Sequence, residues 1–291
     1  MIVVLTGPTG VGKSKLAISL AKEIGGEIIN ADAFQVYKEL YIATAAPSEE
    51  EKKIVPHHLY CYVPLSEGYD IAQYQIDARR VCKDVLSRGK TPIFVGGSGL
   101  YIRSALYDYD LTIDTSNVDL SEYDSLSNEE LHKVLEKLDP KEAKKLPYQN
   151  RRRVLRDIAI CIAANESKTS LLSKQSHEPI YPTMFFSLDK NREELYQRVD
   201  ARVDQMFKMG LLEETLPLIE KYGEDAPAFK AIGVKELFPY IHKEITLEEA
   251  IAQIKLDTRH YVKRQETFFR HQFPTIYVSS LEEMLNEIKD R

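Results

Sequence analysis

The run Gly7-Pro8-Thr9-Gly10-Val11-Gly12-Lys13-Ser14 limits what this chain can fold into more than any other feature. It fits G-x-x-x-x-G-K-[ST], a phosphate-binding loop (P-loop), and its flanks are those the pattern requires. Ile2-Val3-Val4-Leu5 ahead of it is a short β-branched apolar run; Leu16, Ala17, Leu20 and Ala21 behind it recur at helical spacing until Gly25-Gly26. Between a strand and a helix, a glycine-rich loop curls its N–H groups around an oxyanion. Lys13 adds a full charge, the helix N-terminus a partial one, and Ser14 a hydroxyl able to ligate Mg²⁺. The motif specifies a phosphate or diphosphate without saying what carries it.

Strand and helix signals go on alternating. Glu27 to Asn30 reads as a second strand with Asp32 just past its end. Between Asp70 and Arg88, one helical face carries Ile71, Tyr74, Ala78, Val81, Cys82 and Val85, and Pro92 to Val95 is a third strand running into Gly96-Gly97-Ser98-Gly99. This predicts an α/β fold, a P-loop NTPase-like core whose parallel sheet is flanked by helices. The middle differs. An amphipathic stretch over 126–138 and a helix over 151–164 precede the next strand, Thr183 to Leu188. Residues 113–182 therefore read as a helical insertion domain in a core made of 1–112 and 183–291. The remainder is mostly helical to Arg270, with a short strand at Thr275 to Ser279.

Lys plus Arg is 39 against 45 Asp plus Glu, a net charge of -6 that on its face argues against a nucleic-acid partner. The sum hides its distribution. Asp114 to Asp139 holds eight acids and two lysines, so this stretch alone carries the whole excess. Arg151, Arg152, Arg153 and Arg156 follow in an acid-free stretch, a basic footprint suited to RNA phosphates. Arg259, Lys263, Arg264 and Arg270 make a second cluster, whose interleaved Tyr261, Phe268 and Phe269 read as core aromatics. Three scattered cysteines form no C-x-x-C pair, and no apolar run approaches the ~18 residues of a membrane span. These features fit a cytoplasmic monomer with no membrane partner.

The strand over 92–95 ends in glycines where a P-loop NTPase usually carries a Mg²⁺-binding acid. Asp189, after a later strand but beside Lys190, is a weak substitute. A cradle lacking that acid suits a diphosphate leaving group better than nucleotide hydrolysis. Asp32, at the carboxyl edge of the sheet where α/β proteins bind ligands, is the candidate general base; a carboxylate in a surface turn is the plainer alternative. His57-His58 fit either a site wall or a structural turn, and Tyr37 and Tyr101 either core or wall.

Here the residues resemble a family. Gly7 to Ser14, Asn30-Ala31-Asp32-Ala33-Phe34-Gln35-Val36-Tyr37, Thr44-Ala45-Ala46-Pro47, Pro56-His57-His58-Leu59 and Val95 to Tyr101 are similar to successive motifs of the tRNA dimethylallyltransferases. So are Asn150 with Arg153 and Arg156, Arg198 to Val203 with Met206 and Gly210-Leu211, Ala231-Ile232-Gly233, and Thr258-Arg259 with Lys263-Arg264-Gln265. The resemblance spans nearly the whole chain, without the zinc-finger tail of eukaryotic members. It implies transfer of a dimethylallyl group from dimethylallyl diphosphate to the exocyclic amine of the adenosine 3′ to the anticodon, in tRNAs reading U-starting codons, with Mg²⁺ as cofactor.

Carried over by motif, Asp32 resembles the general base, and Lys13 and Arg202 would face the diphosphate beside Thr9, Gly10, Gly12 and Ser14. Asp32, Ala33, Phe34 and Gln35 would touch the target base, Ser98 its surroundings, and Gln149, Asn150, Arg151, Arg152 and Arg153 the anticodon stem-loop. Ala33, Ala46, Ser98 and Asp157 depart from the usual residues; the first two remove a hydroxyl and a lysine. Rival readings are an adenylate isopentenyltransferase acting on free nucleotide, a P-loop small-molecule kinase, and a non-catalytic RNA-binding P-loop protein. An arginine-bearing insertion opposes the first, the missing Mg²⁺ acid the second, and Asp32 at the sheet edge the third.

Overall fold

The computed structural model describes residues 1–176, 178–188 and 190–290. Six parallel strands form one sheet: β1 (Ile2–Thr6), β2 (Gly26–Asn30), β3 (His57–His58), β4 (Thr91–Val95), β5 (Thr183–Leu188) and β6 (Thr275–Val278), in the spatial order β3-β2-β4-β1-β5-β6. β1 lies between β4 and β5, with Val4 opposite both Phe94 and Phe185, and every one of its residues is buried. Burial on both faces is why this strand reads as an unbroken apolar run. Val3, Leu5, Ile28, Ile93 and Phe186 pack one face against Ala17, Leu20 and Met284.

Parallel neighbours need crossovers. The first half of the core supplies α1 (Lys13–Ile24), α2 (Tyr41–Thr44), α3 (Glu49–Ile54), α4 (Ile71–Ser87) and α5 (Gly99–Leu106). α4 is bounded by an Asp70/Gln73 capping box, which explains its sharp start. α6 (Asn128–Leu138), α7 (Pro140–Ala143), α8 (Arg151–Ala164) and α9 (Lys168–Ser173) follow. The second half of the core carries α10 (Arg192–Lys208), α11 (Leu211–Tyr222), α12 (Phe238–Ile241), α13 (Leu247–Gln272) and α14 (Leu281–Lys289).

The chain divides into two compact units, residues 1–106 with 181–291 and residues 107–180. Among its described residues the second carries helices and no named strand, and it has a core of its own, in which Leu131 and Leu135 meet Val154 and Ile158. Its polar interior is a network: Lys168 bridges Glu142 (3.0 Å) and Asp157 (2.8 Å), while Asp139 receives Thr169 and caps α7. Asp157, one of the departures from the family pattern, is thus a buried partner of Lys168.

The last strand ends at Val278, one residue short of the expected Ser279. Asp189, weighed above as a metal ligand, lies outside the described residues. No described helix is long and apolar enough to cross a membrane.

Candidate active site

The site is assembled where β1, β2 and β4 end. β1 gives way at Gly7, and the loop closes on Gly12, whose left-handed backbone precedes the first residue of α1, Lys13. Gly10 sits at φ 79°, and a Cβ there would come within 2.7 Å of Val199 Cγ1. α10 therefore packs directly on the loop. Arg202, about one turn beyond Val199, points its Nη1 at Thr9 Oγ1, 3.3 Å away.

A second close approach fixes Asp32. A Cβ on Gly96 would lie 2.1 Å from Ala31 O, so the segment leaving β4 presses on the segment leaving β2. Ser98 N–H donates to Ala31 O, and Ser98 Oγ accepts Ala33 N–H, both at 3.1 Å. Asn30 Oδ1 accepts Asp32 N–H (2.9 Å), and Asp32 Oδ1 accepts Phe34 N–H (3.0 Å). Asp32 Oδ2 takes no hydrogen bond from the described residues, so one oxygen anchors the carboxylate and the other stays available.

Thr9, Gly10, Gly12, Lys13, Ser14, Asp32, Gln35 and Arg202 line one cleft of about 800 Å³. A second cavity of about 290 Å³ is lined by Phe34, Met206, Lys230, Tyr261 and Arg264 among others. Thr9, Asp32, Thr44 and Arg202 belong to both walls, so these four residues stand where the two cavities adjoin.

Lys13 Nζ donates to Gly7 O and Pro8 O, each at 2.8 Å. Burial lowers its ammonium from 10.5 to about 7; the Asp32 charge opposes this and the Arg202 charge adds to it. Burial likewise pulls Arg202 below its ordinary value, against the attraction of Asp32. Two partly dehydrated cations beside one carboxylate form a site that gains by accepting an anion. For Mg²⁺, Ser14 Oγ opens onto the same cleft, and this ion commonly takes one or two protein oxygens together with substrate phosphates and water. No cluster of three or more His, Cys, Asp or Glu exists among the described residues.

Other expected residues separate. Val11 turns its side chain into a core cluster with Leu195, Val199 and Val262, leaving only its backbone for an anion, and Pro8 is buried. Tyr37 belongs to the core, and Tyr101 stacks on Tyr74 at 4.3 Å. His57 lines the cleft while His58 bonds Glu27 at 2.8 Å, so the pair is an edge strand with one residue on each duty. Phe269 is core as expected, but Tyr261 lines the second cavity; burial pushes its phenol up to about 12, and Ser98 and Gln265 side chains act the other way.

In the helical unit, Gln149, Asn150, Arg152 and Arg153 are exposed at the start of α8, where Asn150 caps Arg153 N–H. Arg151 is different. Its guanidinium is spent on the carbonyls of Leu126 (2.6 Å), Tyr123 (2.8 Å) and Asp124 (3.1 Å).

Sequence reasoning passed over three contributors. Arg198 and Gln205 line the cleft on either side of Arg202, a set that i, i+4, i+7 spacing on α10 could have revealed. Gln265, buried on α13, accepts Thr9 N–H and donates to Gly97 O, both at 2.9 Å. Only its motif membership marked it.

The model of the IPP transferase family matches residues 35–272. A tRNA dimethylallyltransferase of Anoxybacillus flavithermus is 42% identical over 301 aligned positions, covering 100% of this chain and 96% of that protein. Among solved structures, the tRNA delta(2)-isopentenylpyrophosphate transferase of Staphylococcus epidermidis aligns with a TM-score of 0.73 at 36% identity, over 99% of this chain and 97% of that one. A eukaryotic dimethylallyltransferase acting on tRNA aligns with a TM-score of 0.85 at 29% identity, over 100% of this chain and 77% of that one. With the family model matched over most of its length and close relatives over all of it, this chain belongs to the IPP transferase family.

Proposed function

We propose that this enzyme transfers a dimethylallyl group from dimethylallyl diphosphate to the exocyclic amine of the adenosine 3′ to the anticodon in tRNAs reading U-starting codons, releasing diphosphate. The observation that carries the reading is the shared wall of the two cavities: Asp32 borders both the cleft at the P-loop and the cavity rimmed by Lys230, Tyr261 and Arg264. A donor entering by one and a base entering by the other meet at that carboxylate.

Adenine's exocyclic amine is a poor nucleophile because its lone pair is delocalised into the ring. Asp32 Oδ2 accepts the amine proton as nitrogen attacks the allylic carbon, and the carbon–oxygen bond breaks with its electrons leaving on diphosphate. Lys13, Arg202 and the loop N–H groups hold that developing charge. Ser14, on the cleft wall, would hold a Mg²⁺, which would supply further charge neutralisation on the diphosphate. The target base must leave its stack, which costs a few kcal/mol and least in a single-stranded loop. In the helical unit, Gln149, Asn150, Arg152 and Arg153 are assigned to the anticodon stem-loop, supported by their exposure at a helix N-terminus, which favours phosphate.

The test is transfer of labelled dimethylallyl diphosphate to anticodon stem-loop RNA and, in parallel, to AMP. Label on the stem-loop alone is expected. Label on AMP alone would replace this reading with a nucleotide prenyltransferase.

A further inference from the structure

α2 is a four-residue helix whose N-cap, Leu40, has no capping side chain. Its first N–H groups are satisfied from far along the chain. The Glu214 carboxylate, on α11, accepts Tyr41 N–H at 2.9 Å, Ile42 N–H at 3.0 and 2.8 Å, and Ala43 N–H at 2.9 Å. So short a helix is not stable by itself, and a charged acceptor on its first three N–H groups does the work of a local cap. Ala43 and Leu211 belong to the same core cluster, so apolar packing sets the approach and the carboxylate sets the orientation.

The other end of α2 is the wall of the active cleft. Gln35 Nε2 donates to both Thr44 O and Ala45 O, each at 2.9 Å, and Thr44 borders both cavities. Ala45 holds a left-handed backbone at φ 48°, which turns the chain toward Ala46 and Pro47 on the cleft wall. From Glu214 to Gln35 the path is therefore continuous: carboxylate, three amides, one helical turn, two carbonyls, carboxamide.

We propose that Glu214 is a positioning residue for the transfer reaction: it fixes the register of α2 and thereby places Gln35 and Thr44 opposite the P-loop. This rests on the prenyl-transfer reading. It touches neither substrate, so its loss should act on how accurately the cleft is built rather than on charge at the reacting atoms. Displacements of ångström size remote from the chemistry cost up to about 10²-fold in rate.

The experiment compares the parent with Glu214→Gln, Glu214→Asp and Glu214→Ala. Readouts are circular dichroism, the melting temperature, kcat and KM for dimethylallyl diphosphate, and the Kd of anticodon stem-loop RNA. Glu214→Gln loses one acceptor and the charge but keeps the shape, so it stays folded even where the alanine variant does not. The expected result is a folded glutamine variant whose kcat/KM for the donor falls about 10- to 100-fold while RNA Kd moves less than about twofold. Glu214→Asp, which keeps the charge on a shorter stem, should fall between parent and Glu214→Gln. A folded Glu214→Gln with kcat and KM within about twofold of the parent would assign Glu214 to stability alone and overturn the proposal. An active parent with unchanged variants sinks only this proposal; a parent that transfers nothing to the stem-loop sinks the function and this proposal with it.

Discussion

Gln265 Oε1 accepts the N–H of Thr9 at 2.9 Å, joining residues 256 apart in sequence, while its Nε2 donates to Gly97 O at 2.9 Å. One buried carboxamide thus ties the P-loop to the segment leaving β4. Gln265→Ala leaves a buried carbonyl and a loop amide without partners, which costs about 1–3 kcal/mol. The melting temperature should fall and diphosphate should bind more weakly. A variant as stable as the parent with unchanged diphosphate affinity would show that water replaces the carboxamide freely.

Lys13 should make diphosphate binding proton-linked. In the free site its ammonium lies near about 7 instead of 10.5, so above neutrality much of it is unprotonated. An anion favours the charged form and raises the value again. Binding at about pH 8 should therefore take up a proton, visible by calorimetry in buffers of different ionisation enthalpy. The same sign applies to folding: between about 7 and 10.5 the unfolded chain holds a proton the folded site does not, so this group adds stability as pH rises through that window. Absence of proton uptake, or its loss only in variants other than Lys13→Met, would contradict the assignment.

At the sheet edge, Glu27 receives Arg88 through both of its oxygens and His58 through one. The Arg88 hydrogen bond, the largest cause, and His58 hold Glu27 at about 2 against burial, compared with 4.5 unperturbed. Because the folded value is depressed, the stabilisation is present above 4.5 and is lost as pH falls toward about 2. Arg88→Ala should move the acid-unfolding midpoint to higher pH. An unmoved midpoint would mean that His58 suffices.

The arginines at the start of α8 divide into two kinds. Arg152→Ala with Arg153→Ala should weaken stem-loop binding and flatten its dependence on salt, because two exposed charges assigned to the stem-loop are removed. Arg151→Ala should instead loosen the helical unit, since its guanidinium holds three carbonyls there. Hydrogen exchange over residues 120–130 and filter binding at several salt concentrations separate the two effects. A double variant with an unchanged salt slope would leave Arg152 and Arg153 merely solvated.

What could be read from the chain beforehand was whatever is contiguous. The P-loop, the apolar strand before it, Asp32 after β2 and the helix of the Arg151–Ala164 run are local patterns with local causes. β3 escaped because two residues carry no period, and its pairing depends on β2. Glu214, Gln265 and Tyr261 escaped for another reason. Each acts on backbone or cavity brought near only by folding, and an exposed-looking Glu on an amphipathic helix has no local sign that it caps a helix 170 residues earlier. Arg151 illustrates the same point: a run of arginines shows charge, not which member bonds the carbonyls of Tyr123, Asp124 and Leu126.

Asp32, bordering both cavities, is the proposed acceptor of the amine proton. The most direct measurement is single-turnover transfer by Asp32→Asn with both substrates saturating, alongside its Kd for stem-loop RNA. The asparagine keeps the Phe34 N–H contact through its oxygen, so the loop should hold its shape. Transfer slowed by roughly 10²–10⁴ with RNA affinity intact is the predicted result. Near-parental turnover would remove Asp32 from the chemistry and leave the junction of the two cavities without its base.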